Sequence, residues 1–235
     1  MHLQQYTTKA VVTSLLGASS LVFANPFKAR ADTGFSTGFR LIATVVGPTK
    51  HLTVPIQGAA LEGAHVGAGL NTAVLNVTDP GRIFYLNGTA EDVRTGKTNI
   101  VTDGGTPLYP YGIGVSLNET DSNSPVVASI NGGSGTVGVS LETDKTSPAP
   151  GILHFGTASF MACDESLPYY GPSRKFAVLK TFETSQHHTA VIPENCVEVN
   201  LHPLCAALPD LPAGSHTSHE FANKVSCFEN LADIK

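Results

Sequence analysis

The chain has 235 residues, with 14 basic against 19 acidic side chains, a net charge of −5 with histidine neutral, and 41% apolar residues. That balance disfavours nucleic acid as a partner, and the apolar content is too high for a disordered chain. Charged residues make up only 14%, while Gly and Pro number 23 and 15, a mixture suited to short strands joined by tight turns and poorly suited to long helices.

Residues 1–9 are polar and carry Lys9 but no acid, and residues 10–24 (AVVTSLLGASSLVFA) form an uncharged apolar run too short to span a bilayer. Val22 and Ala24 supply the small residues that a signal peptidase reads before Asn25, so residues 1–24 read as a signal peptide and the mature protein as secreted, extracellular or associated with a cell wall. That compartment is oxidising and glycosylating, which sets the meaning of the cysteines and sequons that follow. Residues 25–37 are expected to form a flexible leader or a pro-segment, with Lys28 and Arg30 as a processing mark. No later run approaches 18 consecutive apolar residues, and the chain ends in the charged sequence ENLADIK, so neither a transmembrane span nor a lipid-anchor tail is expected.

A β domain is expected over residues 38–200. Short runs rich in β-branched and aromatic residues recur there: FRLIATVV, TAVLNV, RIFYLNG, GIGVSL, PVVASI, TVGVSL, ILHF, FMAC and KFAVLKTF. Turn chemistry separates them, as in Asp79-Pro80-Gly81, Asn87-Gly88, Asp103-Gly104-Gly105, Asn131-Gly132-Gly133 and Ala149-Pro150-Gly151. Closely spaced strands with no helical stretch between them predict a mainly β fold, an antiparallel sandwich or flattened barrel. The phrase GVSL, at 114–117 and again at 138–141, is followed both times by Glu-Thr-Asp, an echo too short to define a repeat architecture. Residues 63–69 (GAHVGAG) do not match the spacing of a dinucleotide loop and read as a glycine-lined turn or a closely packed strand pair.

Residues 201–235 read as a cysteine-linked C-terminal segment packed on the β domain. Thr217 followed by Glu220 is a capping-box pattern, and Phe221, Val225 and Phe228 then fall on one helical face, which predicts a short amphipathic helix carrying Cys227. The 4 cysteines, Cys163, Cys196, Cys205 and Cys227, contain no CxxC pair, which excludes zinc-ribbon and thioredoxin-like readings and leaves disulfides. Three connectivities are open. Pairing neighbours, Cys163 with Cys196 and Cys205 with Cys227, is favoured because it staples the tail onto the strands.

Sequons at Asn76, Asn87 and Asn118 each stand at or near a turn, so glycosylation is expected on this side of the domain. His216, His219 and Glu220, with His187 and His188, invite a metal site, but Thr217 as N-cap would leave His216 outside the helix and HExxH is absent, so neither a metal nor another cofactor is expected. Protonating all the histidines of the mature chain would reverse the sign of its charge, which suggests surface association that changes on mild acidification. No GxSxG elbow is present, and adjacent acids such as Asp164 and Glu165 or Glu91 and Asp92 do not by themselves define a glycosidase cleft, so catalysis is not the expected role. Tyr109, Tyr111, Tyr169 and Tyr170, stiffened by Pro110 and Pro168, are the candidates for stacking on sugar rings. A wall polysaccharide, or a host or other extracellular protein, is the expected class of partner.

The phrases GFRLIATV, GAHVGAGLNTAVL, GRIFYLNGTAEDV, TDGGTP, FMACDESLPYYG, PENCVEVNLHPLCA and LPAGSHTSHEFANKVSCF together resemble a family of secreted proteins of filamentous fungi whose function is not established. More remotely, residues 151–199 are similar to the closing segment of the fungal phialide cell-wall and IgE-binding proteins. The resemblance implies an extracellular or wall-associated β protein, transfers no catalytic residue, and supports pairing Cys163 with Cys196.

Overall fold

The computed structural model describes residues 31–47, 52–118, 120–121, 124–142, 149–183 and 192–235. The expected signal peptide, the leader up to residue 30, and His187 and His188 lie outside the described residues.

Strand accounts for 50% of the structure and helix for 7%, so the fold is mainly β. In chain order the strands are β1 (Thr33–Ser36), β2 (Gly38–Val45), β3 (Ala60–Gly67), β4 (Leu70–Asn76), β5 (Phe84–Asn87), β6 (Asn99–Gly104), β7 (Tyr109–Gly114) and β8 (Val126–Val127). They continue with β9 (Ser129–Gly132), β10 (Ser140–Glu142), β11 (Ile152–His154), β12 (Ala158–Ser166), β13 (Lys175–Glu183), β14 (Cys196–Ala206), β15 (Ala222–Asn223) and β16 (Val225–Phe228). The main sheet follows the order β1-β16-β14-β12-β13-β4-β3-β2-β5-β6-β7-β9, and pairings of β14 with β2 and of β4 with β9 bend it back on itself. The result is a nine-stranded antiparallel barrel with further strands outside it.

Alternation along each strand sorts side chains between interior and exterior. Phe39, Leu41 and Ala43 of β2, Ala73 and Leu75 of β4, Phe160 and Ala162 of β12, Ala177 and Leu179 of β13, and Val199 and Leu201 of β14 share one core cluster. Each large apolar side chain buried there contributes roughly 1.5–3 kcal/mol. The alternate positions face outward and are covered in patches. Ile42 packs with Ala60, Phe228 and Ile234; Val74 and Val178 with Ala64 and Leu167; Met161, Cys163, Phe182 and Cys196 with one another. The disulfides are Cys163–Cys196, across β12 and β14, and Cys205–Cys227, across β14 and β16.

The C-terminal helix is not formed. Thr217 donates its hydroxyl to Asp103 Oδ1 at 2.8 Å instead of capping a turn, and Phe221 is 46% exposed. Residues 225–228 extend as β16 along the edge of β1, pairing Val225 with Ser36 and Cys227 with Gly34. Val225 and Cys227 are both buried on either side of half-buried Ser226, so period-two alternation and a free strand edge outweighed the helical spacing of Phe221, Val225 and Phe228. Among the described residues the C-terminal segment holds as helix only the 3-10 turn Leu231–Asp233, and an α-helix forms instead at α1 (Ala90–Thr95), between β5 and β6. Thr89 and Asp92 close a reciprocal capping box at its start, and Gly96, at φ 69°, ends it.

β14 was not among the expected strands, although VEVNLHPL alternates apolar with polar residues; Pro203 interrupts that pattern. The proline is buried opposite Leu41 inside a ladder that continues on both sides of it. On the outer face of the same strand, His202 places Nε2 3.0 Å from Thr44 Oγ1, and burial holds its imidazole below the usual histidine range. In the fold His202 therefore takes up a proton less readily than in the unfolded chain, where it does so as the pH falls through about 6.5. The stability this contributes is present above that value and is lost as the pH falls below it. Urea unfolding at pH 7 and pH 5 should show a smaller acid-side loss of stability for His202→Gln than for the wild type.

Candidate functional site

A groove of ≈ 270 Å³ runs over the outer face between the β3–β4 hairpin and the connection from β12 to β13. That connection is built from the chain outward. Leu167, 7% exposed, seals the cluster of Ala64, Val74 and Val178. Pro168 then starts the single 3-10 turn Pro168–Tyr170, and Ser166 Oγ donates to the Pro172 carbonyl at 2.8 Å to close the hairpin. Tyr169 stands 60% exposed, edge-on to His65 at 5.4 Å and to Tyr170 at 5.3 Å. Tyr170 tilts against Phe176 at 4.8 Å, and the Arg174 guanidinium carbon lies 4.9 Å from the Tyr170 centroid and 4.8 Å from that of Phe176. Arginine thus occupies ring faces of Tyr170 and Phe176 by cation–π attraction and leaves Tyr169 as the open aromatic of the set.

Polar groups complete the groove. Glu62, Asn76, Thr78 and Lys175 line it with Arg174. Glu62 is engaged: Oε1 accepts from Arg82 Nε at 2.6 Å and from its neighbour, the Gly63 amide, at 2.8 Å. Gly63 sits where a Cβ would come within 3.0 Å of Asn71 Cβ, and Gly69 turns at φ 70°, so the GAHVGAG segment is both the closely packed end of β3 and the glycine turn into β4.

The other sequence candidates disperse. Tyr111 packs on the barrel core, and Tyr109 stacks on His216 at 4.7 Å with the ring planes 19° apart. His219 turns elsewhere: its Nε2 lies 2.8 Å from Asp103 Oδ2, and its ring meets Tyr85 edge-on at 4.9 Å. The set His216, His219 and Glu220 is therefore not gathered for a metal, and among the described residues no group of three or more ligating side chains is. Burial, followed by the influence of Asp103, raises the Tyr85 phenol above its ordinary range, although its hydrogen bond with Thr217 works the other way. Of the acid pairs, Asp164 accepts from the Thr53 and Val54 amides, Glu165 pairs with Lys180, Glu91 pairs with Arg94, and Asp92 caps α1. Each of these carboxylates has a structural partner.

The sequons differ in geometry. At Asn76 and Asn118 the threonine hydroxyl two residues on donates to the asparagine Oδ1 at 2.8 Å, and the threonine amide does so at 3.0 Å. Asn87 lies between β6 and β15, its Nδ2 donates to Asn99 Oδ1 at 3.0 Å, and its sequon threonine is the cap of α1.

These features define a class: a disulfide-bonded, mainly β domain that presents an aromatic and charged groove on the outside of its barrel. The chain belongs to the family of the domain of unknown function DUF7907, whose model matches residues 36–205. It is 36% identical over 206 residues to the antigenic protein SchS34 of the fungus Stachybotrys chartarum, which covers 85% of this chain and 89% of that protein. No solved structure is a significant match.

Asp103 is the anchor that the sequence reading missed: it holds Thr217 and His219 of the C-terminal segment against β6. Replacing it by alanine leaves both without their partner, an expected loss of about 1–3 kcal/mol. Urea unfolding measures that loss, and limited proteolysis should show earlier cleavage in residues 207–223.

Proposed function

We propose that the protein is secreted and acts without catalysis, as an extracellular or wall-associated interaction protein whose outer groove contacts a glycan. The N-terminal segment, the disulfides and the relationship to an antigenic fungal protein support the location. Among the described residues no helix is long and apolar enough to cross a membrane. The observation that carries the glycan reading is Tyr169, an exposed ring on a proline-stiffened turn beside a groove lined with Arg174, Lys175 and Thr78. Sugar faces stack on such rings while their hydroxyls take hydrogen bonds from the charged groups around them. A host or other extracellular protein as partner is the alternative, and it needs no sugar chemistry in the groove.

Co-sedimentation with chitin, β-glucan and mannan, with soluble sugar as competitor, tests this. Competable pelleting of the wild type is expected, reduced about tenfold by Tyr169→Ala, since aromatic contacts of this kind contribute about 0.5–1.5 kcal/mol beyond the buried area. Absence of pelleting with all three polymers would overturn the glycan reading and favour the protein partner.

Asn76 and Asn118 are the proposed glycosylated positions, with Asn87 left bare. A glycan on Asn76 would stand on the lining of the groove, so Asn76→Gln is expected to pellet more strongly than the wild type. Peptide mass mapping of the secreted protein before and after enzymatic deglycosylation reads the occupancy of each sequon, and a glycan at Asn87 would refute the assignment.

A further inference from the structure

We propose a second site, which borders the groove near Tyr169 at Thr78: a pocket on the outer face of the β2–β14 pair that binds an amphiphilic carboxylate through Arg40. The pocket holds ≈ 350 Å³ and is lined chiefly by Arg40, Ile42, Ala60, Val77, Leu204 and Leu231. Its floor is apolar and dry, with Ile42 and Ala60 each 3% exposed. Its mouth is apolar as well, because Val77 and Leu231 are 45% and 49% exposed at the rim.

Arg40 is the anomaly in these surroundings. Its Nε is buried and has no hydrogen-bond partner, and among the described residues no carboxylate pairs with its guanidinium. The other half-buried cations of the barrel surface are neutralised, Arg82 by Glu62 at 2.6 Å and Lys180 by Glu165 at 2.5 Å. The acid in the pocket wall, Asp79, accepts from the Gly81 amide at 2.9 Å and shapes its own turn. Arg40 as a whole is only half-buried, so its outer guanidinium nitrogens stay open to the pocket, and a bound carboxylate meets them with paired, charge-assisted hydrogen bonds.

The walls specify the rest of the ligand. A bare anion would satisfy Arg40 and leave the rim of Val77 and Leu231 in water, whereas a sugar would find few polar groups there. An alkyl or aryl acid meets both demands, and the volume suits a molecule of about ten carbons. The site is also preformed. Arg40 stands opposite Leu204 in the ladder. The lip at Leu231 is tied down because Asp233 Oδ2 accepts from the Asp32 amide at 3.1 Å and Asn230 Nδ2 donates to Asp32 Oδ2 at 3.3 Å.

Titration calorimetry and native mass spectrometry of the secreted protein with decanoate, below its micellar concentration, test the site, with decanol and acetate as the probes that lack one half of the ligand. The expected result is one decanoate per chain, decanol and acetate each weaker by on the order of tenfold or more, and a similar loss of decanoate affinity in Arg40→Met. Leu231→Glu, at the exposed mouth, should weaken decanoate to a comparable degree, and it serves if Arg40→Met does not fold. No decanoate binding by the folded wild type would overturn the proposal. So would equal affinities for decanoate and decanol, or, in whichever variant folds, a decanoate affinity equal to that of the wild type.

Discussion

The antiparallel ladder between β2 and β14 is the constraint on which the rest of the structure depends. It runs in unbroken register from Val45 opposite Val199 to Gly38 opposite Ala206, and so joins the first strand of the barrel to the last. A slip of one residue would exchange the two faces of either strand. Phe39, Leu41 and Ala43 would leave the core, and Arg40 would enter it. Close approach at one end of the ladder also explains Gly38, where a Cβ would come within 2.8 Å of the Ala206 carbonyl oxygen and 2.9 Å of the Leu208 amide nitrogen.

What the ladder leaves outside is as consequential as what it encloses. Its outer face carries Arg40, Ile42, Thr44, His202 and Leu204, too apolar a surface to leave bare and too polar to serve as a second core. The C-terminal segment covers it in part, tied by Cys205–Cys227 and by the pairing of β16 with β1, and Phe228 and Ile234 complete the packing over Ile42. His202 and Arg40 are the polar remainder of that cover, each with a buried nitrogen lacking a partner. The groove at Tyr169 has a parallel origin. The outward residues of β4 and β13 are roofed by Leu167 and the turn after it, and the aromatic rings stand on that roof. Both surface features are consequences of how a barrel with an apolar exterior is covered.

Local signals in the sequence were read well where chemistry is local. Turn dipeptides and β-branched runs mark most of the strands, and pairing neighbouring cysteines gives the disulfide connectivity that is observed. They failed where two local patterns competed. Thr217 and Glu220 have the form of a capping box but Asp103, more than a hundred residues earlier, takes the threonine hydroxyl. The capping box that operates, Thr89 with Asp92, was passed over because it lies in a strand-rich stretch and starts a helix of only 6 residues. The candidate tyrosines separated for a similar reason: Tyr111 faces the core and Tyr169 faces solvent, a difference set by strand register and hairpin closure and not by residue type.

By itself, the sequence determined that this is a mainly β chain, because alternation and turn residues act over a few neighbouring residues, and the absence of any CxxC spacing left its cysteines to disulfides. Tertiary structure alone decided which acids are engaged, that burial holds His202 below the usual histidine range, and which tyrosines are exposed. Those properties depend on burial and on groups brought from distant positions, as Asp103 is to His219 and as β14 is to β2. Arg40 belongs to the same category: in the sequence it is one basic residue among 14, and only the closed barrel shows that among the described residues no acid forms an ion pair with it.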